Sequence, residues 1–156
     1  MSYRIANPDD QDFLREMLYL ALWDPPSQPP RPRTVLDHPM IRAFVENWGQ
    51  PGDWALIAEA DEKVGAIWTR LEARDLSPDY GCSWPQLGMA LLPSWQGRGL
   101  GSRLMEQFIE QLRSRTGGLR LGVHPENAAA IRLYEKFGFE TYAVGNGDYP
   151  QMKLEF

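Results

Sequence analysis

QGRGLGSRL, residues 96–104, sets glycine at alternate positions (Gly97, Gly99 and Gly101) just ahead of a segment with helical periodicity. Glycine costs a helix roughly 0.5–1 kcal/mol per position relative to alanine, so glycines at a helix entrance serve a conformational or a steric purpose. The run before them, LGMALL (87–92), is almost continuously apolar, has strand length and is closed by Pro93. It reads as a buried strand. The first N–H groups of a helix lack internal partners, and the macrodipole puts roughly half a positive charge there. Strand, glycine turn and helix start together compose an anion site. A tight turn that lets the helix pack close to the strand explains the same glycines. Arg98 and Arg103 flank the loop, either as added charge or as solvated side chains.

Two nucleotide readings fail. A Walker loop ends in Gly-Lys-Ser/Thr, whereas here Gly101 is followed by Ser102 with no lysine. A dinucleotide fingerprint requires GxGxxG and an acid about twenty residues on. The spacing is Gly97-x-Gly99-x-Gly101, and position 121 is Leu.

Around this centre the chain alternates strands and helices. Tyr3–Ala6 reads as a strand, and Asn7-Pro8 supplies an N-cap and a first-turn proline. The helix that follows carries Phe13, Leu14, Met17, Leu18, Ala21 and Leu22 at helical spacing and ends by Asp24. PPSQPPRPR (25–33) reads as an extended surface loop. A second helix is predicted over Pro39–Trp48, closed by Gly49. Strands follow at 54–60 and 63–73 as a hairpin around Asp61-Glu62, then a loop at 75–85. From Leu100 a helix aligns Leu104, Met105, Phe108, Ile109 and Leu112 and stops at Gly117-Gly118. A strand at 119–123, a helix from Asn127 to Phe137 with Gly138 as C-cap, and two strands around Asn146-Gly147 complete the chain. The order βααβββαβαββ predicts an α/β (α+β) fold, a mixed, largely antiparallel sheet flanked by about four helices.

Composition bounds the function. The 156 residues suit a single domain over 1–156, with 43% hydrophobic and 24% charged residues supporting an ordinary core. No apolar run has the length of a membrane span, and the acids of MSYRIANPDDQDF leave no signal peptide, so no membrane partner is expected. The lone Cys82 rules out an internal disulfide and a multi-cysteine metal site, which makes a reducing cytoplasm the expected location. A net charge of −5 disfavours a broad nucleic-acid surface and mildly favours cationic partners.

A third reading of the glycine loop takes in more of the chain. Gln96-x-x-Gly99-x-Gly101 after ALLP (90–93) resembles the pyrophosphate loop of the GNAT superfamily of N-acetyltransferases. Asn127-Ala128-Ala129-Ala130-Ile131-Arg132-Leu133-Tyr134-Glu135-Lys136-Phe137-Gly138-Phe139 resembles that family's other signature, in the same order and at the same separation. The core of the resemblance spans 87–139, and the remaining elements match the family's order.

The resemblance implies acetyl-CoA as cosubstrate, no metal, and transfer of an acetyl group to an amine by direct attack. The backbone of Met89, Ala90 and Leu91 would hold the pantetheine arm, with the Leu91 N–H polarising the acetyl carbonyl. The backbone of Gln96, Gly97, Arg98, Gly99, Leu100, Gly101 and Ser102 would hold the pyrophosphate. Asn127 would bond the cofactor arm, or cap its helix, or both. Tyr134, two helical turns further on and on the same face, would be the general acid that protonates the departing thiolate; a core tyrosine would look the same. Phe137 and Phe139 read as packing around Gly138.

Two departures concern the general base. Gly122 and Gln86 stand where relatives often carry glutamate. Glu59, Glu72 and His124 are alternatives, with His124 expected at the surface in a His-Pro turn, and no base is assigned. By the same resemblance the acceptor, a small-molecule or peptide amine, would lie between the first helices, the hairpin and the final strands. That places Trp23, the 24–38 loop, Trp68, Trp84 and Tyr149 around it, where aromatic faces suit an ammonium. The rival expectation is a GNAT-fold module that binds CoA or acyl-CoA and senses rather than catalyses. A longer acyl chain and a homodimer through the C-terminal strands are both compatible with the sequence.

Overall fold

Local signals account for most of the element order. The computed structural model describes residues 1–72 and 77–156, so Ala73, the predicted end of the third strand, and residues 75–76 of the predicted loop lie outside the described residues. The elements run β1 (Ser2–Ile5), α1 (Gln11–Ala21), α2 (Pro39–Arg42), β2 (Asp53–Glu59), β3 (Lys63–Arg70), β4 (Leu87–Leu91), α3 (Leu100–Leu112), β5 (Gly118–Gly122), α4 (Ala128–Lys136), β6 (Glu140–Val144) and β7 (Pro150–Glu155). This is the predicted order. Asn7 starts the first helical segment through a capping box: its side chain accepts from Asp9 N at 2.8 Å, and Asp10 accepts from Asn7 N at 2.9 Å.

The strands form two antiparallel sheets, β1-β2-β3-β4 and β5-β7-β6. One parallel bridge, Gln86↔Arg120, joins them just before β4 begins. The first sheet is covered on both faces. Leu56, Ala58 and Ile67 meet the α3 stripe of Leu104, Met105, Phe108 and Leu112. Ala55, Ile57, Ala66 and Trp68 alternate to the other face and meet Leu14, Met17 and Leu18 of α1. Two-sided burial explains why β2 and β3 read as unbroken apolar runs.

The second helix is shorter than predicted. It ends at Arg42, and 43–47 continues as turns, with Asn47 at φ +52° and Gly49 at φ +110°. Side chains distant in sequence take the carbonyls a longer helix would use. Arg70 donates to Ala43 O (3.0 Å) and Glu46 O, and Gln11 Nε2 donates to Val45 O at 2.8 Å. Trp48 N in turn donates to Gln11 Oε1 at 2.6 Å. Tertiary hydrogen bonds override helical propensity here.

Candidate active site

The two sheets meet at the bridge and then part, because β4 and β5 diverge beyond it. Backbone direction along β4 follows from one bond: Leu92 N donates to Val64 O of β3 at 2.8 Å. Groups alternate from edge to edge of a strand, so Met89 and Leu91 direct their N–H and C=O away from β3, into the gap. Pro85, of the same parity, confirms this by accepting from Arg120 N at 3.0 Å. Ala90 has the opposite parity. Its backbone faces Ala66 of β3, so of the three residues predicted to offer backbone to a cofactor arm, only Met89 and Leu91 turn theirs to the gap. The Leu91 carbonyl accepts from Gln96 Nε2 at 3.1 Å.

The gap opens into a cleft of about 970 Å³, lined by β4, the glycine loop, the end of β5, α4 and the segment after α1. Gly97 and Gly99 sit at φ +74° and +81°, where an L side chain is strained. A Cβ on either would meet nothing within 4 Å, so conformation alone calls for glycine there. Gly101 is helical, and a Cβ on it would touch Leu133, Met89 and Leu91 at 3.4, 3.7 and 3.9 Å, ordinary contact distances. Close packing of helix on strand therefore does not demand this glycine. A methyl group would instead take up room inside the cleft.

Within the loop, Gln96, Gly97, Gly99, Gly101 and Ser102 line the cleft, whereas Arg98 and Leu100 do not. The Arg98 guanidinium lies 4.8 Å from the Trp95 ring centre, and Leu100 is buried in the core. The N–H groups of Leu100, Gly101 and Ser102 open α3 without intrahelical partners. Lys136, which the sequence reading passed over, donates to Ser102 Oγ at 3.2 Å and adds a cation beside them.

Asn127 and Tyr134 both line the cleft. Asn127 caps α4, its side chain accepting from Ala130 N at 3.3 Å. Tyr134 is buried against Phe139, with ring centres 5.8 Å apart. Burial pushes its phenol up to about 12, so it keeps its proton through the neutral range.

At the other end of the cleft, His124 sits edge-on to both Trp23 and Tyr149, with ring centres 5.1 Å apart in each case. It was expected at the surface. Its side chain is only 15% exposed and lines the cleft. Nδ1 accepts from Glu126 N at 3.0 Å, so a neutral imidazole carries its hydrogen on Nε2 and is a donor there. Arg31 also lines this end, held by Asp24, and nothing in a proline-rich loop had singled it out.

Of the three tryptophans predicted around the acceptor, the structure brings only Trp23 to the cleft. Trp68 is in the core, lying over Gly88, where an added Cβ would stand 2.4 Å from the indole. Trp84 covers Gly118 at the closed end of the two sheets, and its carbonyl accepts from Arg120 Nε at 3.0 Å. The alternative bases are placed as plainly. Glu59 is 2.8 Å from Arg4, and neither it nor Glu72 lines the cleft. Among the described lining residues the one carboxylate is Glu126, on the rim with its side chain 65% exposed. Among the described residues, no group of His, Cys, Asp and Glu could hold a metal ion.

Splayed strands, a left-handed glycine loop at a helix start and a buried tyrosine on the facing helix thus stand around one cleft. Residues 15–139 match the model of the acetyltransferase (GNAT) family, and the chain belongs to that family. It is 37% identical over 122 residues to the L-amino acid N-acetyltransferase AaaT of Escherichia coli, covering 72% of this chain and 73% of that one. It is 31% identical over 142 residues to the mycothiol acetyltransferase of Rhodococcus opacus, covering 86% of this chain. The chain spans only 43% of that relative's length. The structure of yncA from Salmonella typhimurium, solved with its cofactor acetyl-CoA, shares the fold with a TM-score of 0.65 at 20% identity, over 99% of this chain and 92% of that one. Acetyl-CoA is the cosubstrate of the family. The unpaired edge of β4 and the N–H groups that open α3 leave polar backbone facing a cleft roomy enough for such a ligand.

Proposed function

We propose that this protein is an acetyl-CoA-dependent N-acetyltransferase that acetylates a primary amine by direct attack. Acetyl-CoA supplies the acetyl group as a thioester. The Leu91 N–H, directed into the gap, donates to the carbonyl oxygen as negative charge develops on it; one such donor is worth about 2.7–4 kcal/mol in other acyl transfers. As the C–N bond forms and the C–S bond breaks, Tyr134 gives its phenolic proton to the leaving sulfur. The amine nitrogen releases its own proton to solvent, and solvent returns one to the Tyr134 phenolate. An amine that binds as ammonium and sheds its extra proton to solvent before attack needs no dedicated base, in keeping with Gly122 and Gln86 at positions where relatives often carry glutamate.

One observation carries this reading: the Leu91 edge and the buried, protonated Tyr134 line the same cleft. The scarcity of carboxylates in that cleft favours a second reading, a CoA-binding sensor with no turnover. Tyr134→Phe separates the two. A transferase loses at least about a hundredfold in kcat while CoA still raises the melting temperature. For ligand at a hundred times Kd that rise is about 5–10 °C. A wild type that binds CoA but turns over no amine would support the sensor.

A further inference from the structure

We infer that the acceptor is a zwitterionic small molecule, a free α-amino acid, and that Arg31 holds its carboxylate. This rests on reading the cleft as an amine-acceptor site. Arg31 is the one guanidinium among the described residues that line the cleft, and it stands at the end away from the glycine loop, beside Tyr149.

The geometry of its pairing leaves a face for a ligand. Asp24 engages the side edge of the fork: Nε lies 3.1 and 3.2 Å from its two oxygens, and Nη2 lies 2.8 Å from Oδ1. A guanidinium carries five N–H groups in a fixed plane. With the side edge used, the end edge formed by Nη1 and Nη2 is the one a carboxylate would take in bidentate fashion, in place of the Tyr149 hydroxyl that hydrogen-bonds the guanidinium. Asp24 is not among the residues lining the cleft, whereas Arg31 is, and its guanidinium reaches Tyr149 in the cleft wall.

The group is also preorganised. Arg31 N donates to Asp24 Oδ2 at 3.1 Å, and Tyr19 Oη donates to Arg31 O at 2.5 Å, so main chain and side chain are both fixed before a ligand arrives. The ammonium has its own complement nearby. Leu20, Ala21 and Leu22, where α1 ends, line the same end of the cleft. The last carbonyls of a helix lack intrahelical acceptor duty and carry the negative pole of the dipole. Positive Arg31 and the negative helix end thus face one compartment, with Trp23, Pro25, Pro26 and Tyr149 as apolar walls for a side chain. Among the described lining residues the other charged side chain is Glu126, out on the rim. A protein N-terminus would bring an amine to this compartment but no adjoining carboxylate.

The test is calorimetric binding of the twenty L-amino acids, each beside its primary amide, to the whole protein with and without CoA. The expected result is at least one amino acid that binds about tenfold to a hundredfold more tightly than its amide, the worth of a charge-assisted pair. In Arg31→Gln that ratio falls toward one. Binding of no free amino acid, or equal binding of acid and amide by the wild type, overturns the inference, and that comparison needs no variant that folds. Turnover is read separately with acetyl-CoA. An amino acid bound through its carboxylate but never acetylated would keep Arg31 as the anchor and remove the transferase reading instead.

Discussion

Gln96 clamps Leu91: its side-chain Nε2 donates to the Leu91 carbonyl at 3.1 Å, while Leu92 N on the other side of the same peptide donates to Val64 O at 2.8 Å. One peptide unit is thereby held from both edges, and the adjoining Leu91 N–H is aimed by it. The first residue of the glycine loop is therefore tied to the strand that presents the proposed oxyanion donor. Gln96→Ala is expected to lower kcat/KM for acetyl-CoA about threefold to tenfold, the worth of one hydrogen bond. Because Gln96 is exposed, the melting temperature should hardly move. Unchanged steady-state kinetics would mean that β4 holds Leu91 unaided.

Gly101 makes a sharper test, since stability and binding should move in opposite directions. Its Cβ would find only ordinary contacts, and alanine is the better helix former by about 1 kcal/mol. Gly101→Ala should therefore leave the melting temperature level or raise it slightly. The same methyl group enters the cleft between β4, α3 and α4, so Kd for CoA should rise about tenfold or more, an overpacking cost of about 1–3 kcal/mol. Titration calorimetry alongside a thermal melt reads both. Unaltered CoA affinity would return the glycine to a packing role.

The glycine-loop side of the cleft was legible because its signals are local. Gly97 and Gly99 announce left-handed backbone, and Asn127 and Tyr134 share a face by helical arithmetic alone. The parity that sends Ala90 to β3 and Leu91 to the gap could also have been read, once Pro93 had marked the end of the strand. The end proposed for the acceptor was not legible in this way. Arg31 and His124 join Trp23 and Tyr149 only through contacts between segments far apart in sequence, and α2 stops short because Gln11 and Arg70 reach its carbonyls from elsewhere. Tryptophans show the same limit: composition supplied them, but only the fold sorts Trp23 to the cleft from Trp68 in the core.

That sorting can be measured. Trp68→Ala should cost about 3–5 kcal/mol of stability, as for other buried aromatics, and Gly88→Ala about 1–3 kcal/mol through the 2.4 Å approach of its Cβ to the indole. Trp23→Ala should instead raise the acceptor KM about threefold to thirtyfold with little loss of stability. Trp84→Ala, at the closed end of the sheets, should affect stability and leave the acceptor KM alone. Denaturant unfolding and steady-state kinetics on the four variants decide the matter. A higher acceptor KM in Trp84→Ala would contradict the placement of the site.

Asp10 should govern acid stability. It is 1% exposed and meets Arg4 Nη1 and Nη2, each at 2.8 Å, and Lys63 Nζ at 2.7 Å, which ties the start of α1 to β1 and β3. The Arg4 hydrogen bonds are the largest influence, and with Lys63 and Asn7 N they outweigh desolvation and hold its carboxyl well below the usual range. In the unfolded chain the same group titrates near an ordinary value of about 3.9. The native state thus binds fewer protons, and the contribution is complete at neutral pH and drains away as pH falls below about 5. Asp10→Asn leaves two cations around a neutral amide, so it should cost about 2–4 kcal/mol at pH 7, near the lower end for a broken buried pair. Because the titrating group is gone, the difference between wild type and variant should shrink steadily from pH 5 to pH 2. Urea unfolding across that range measures it. A difference that stays constant with pH would show that the lost stability is packing rather than charge.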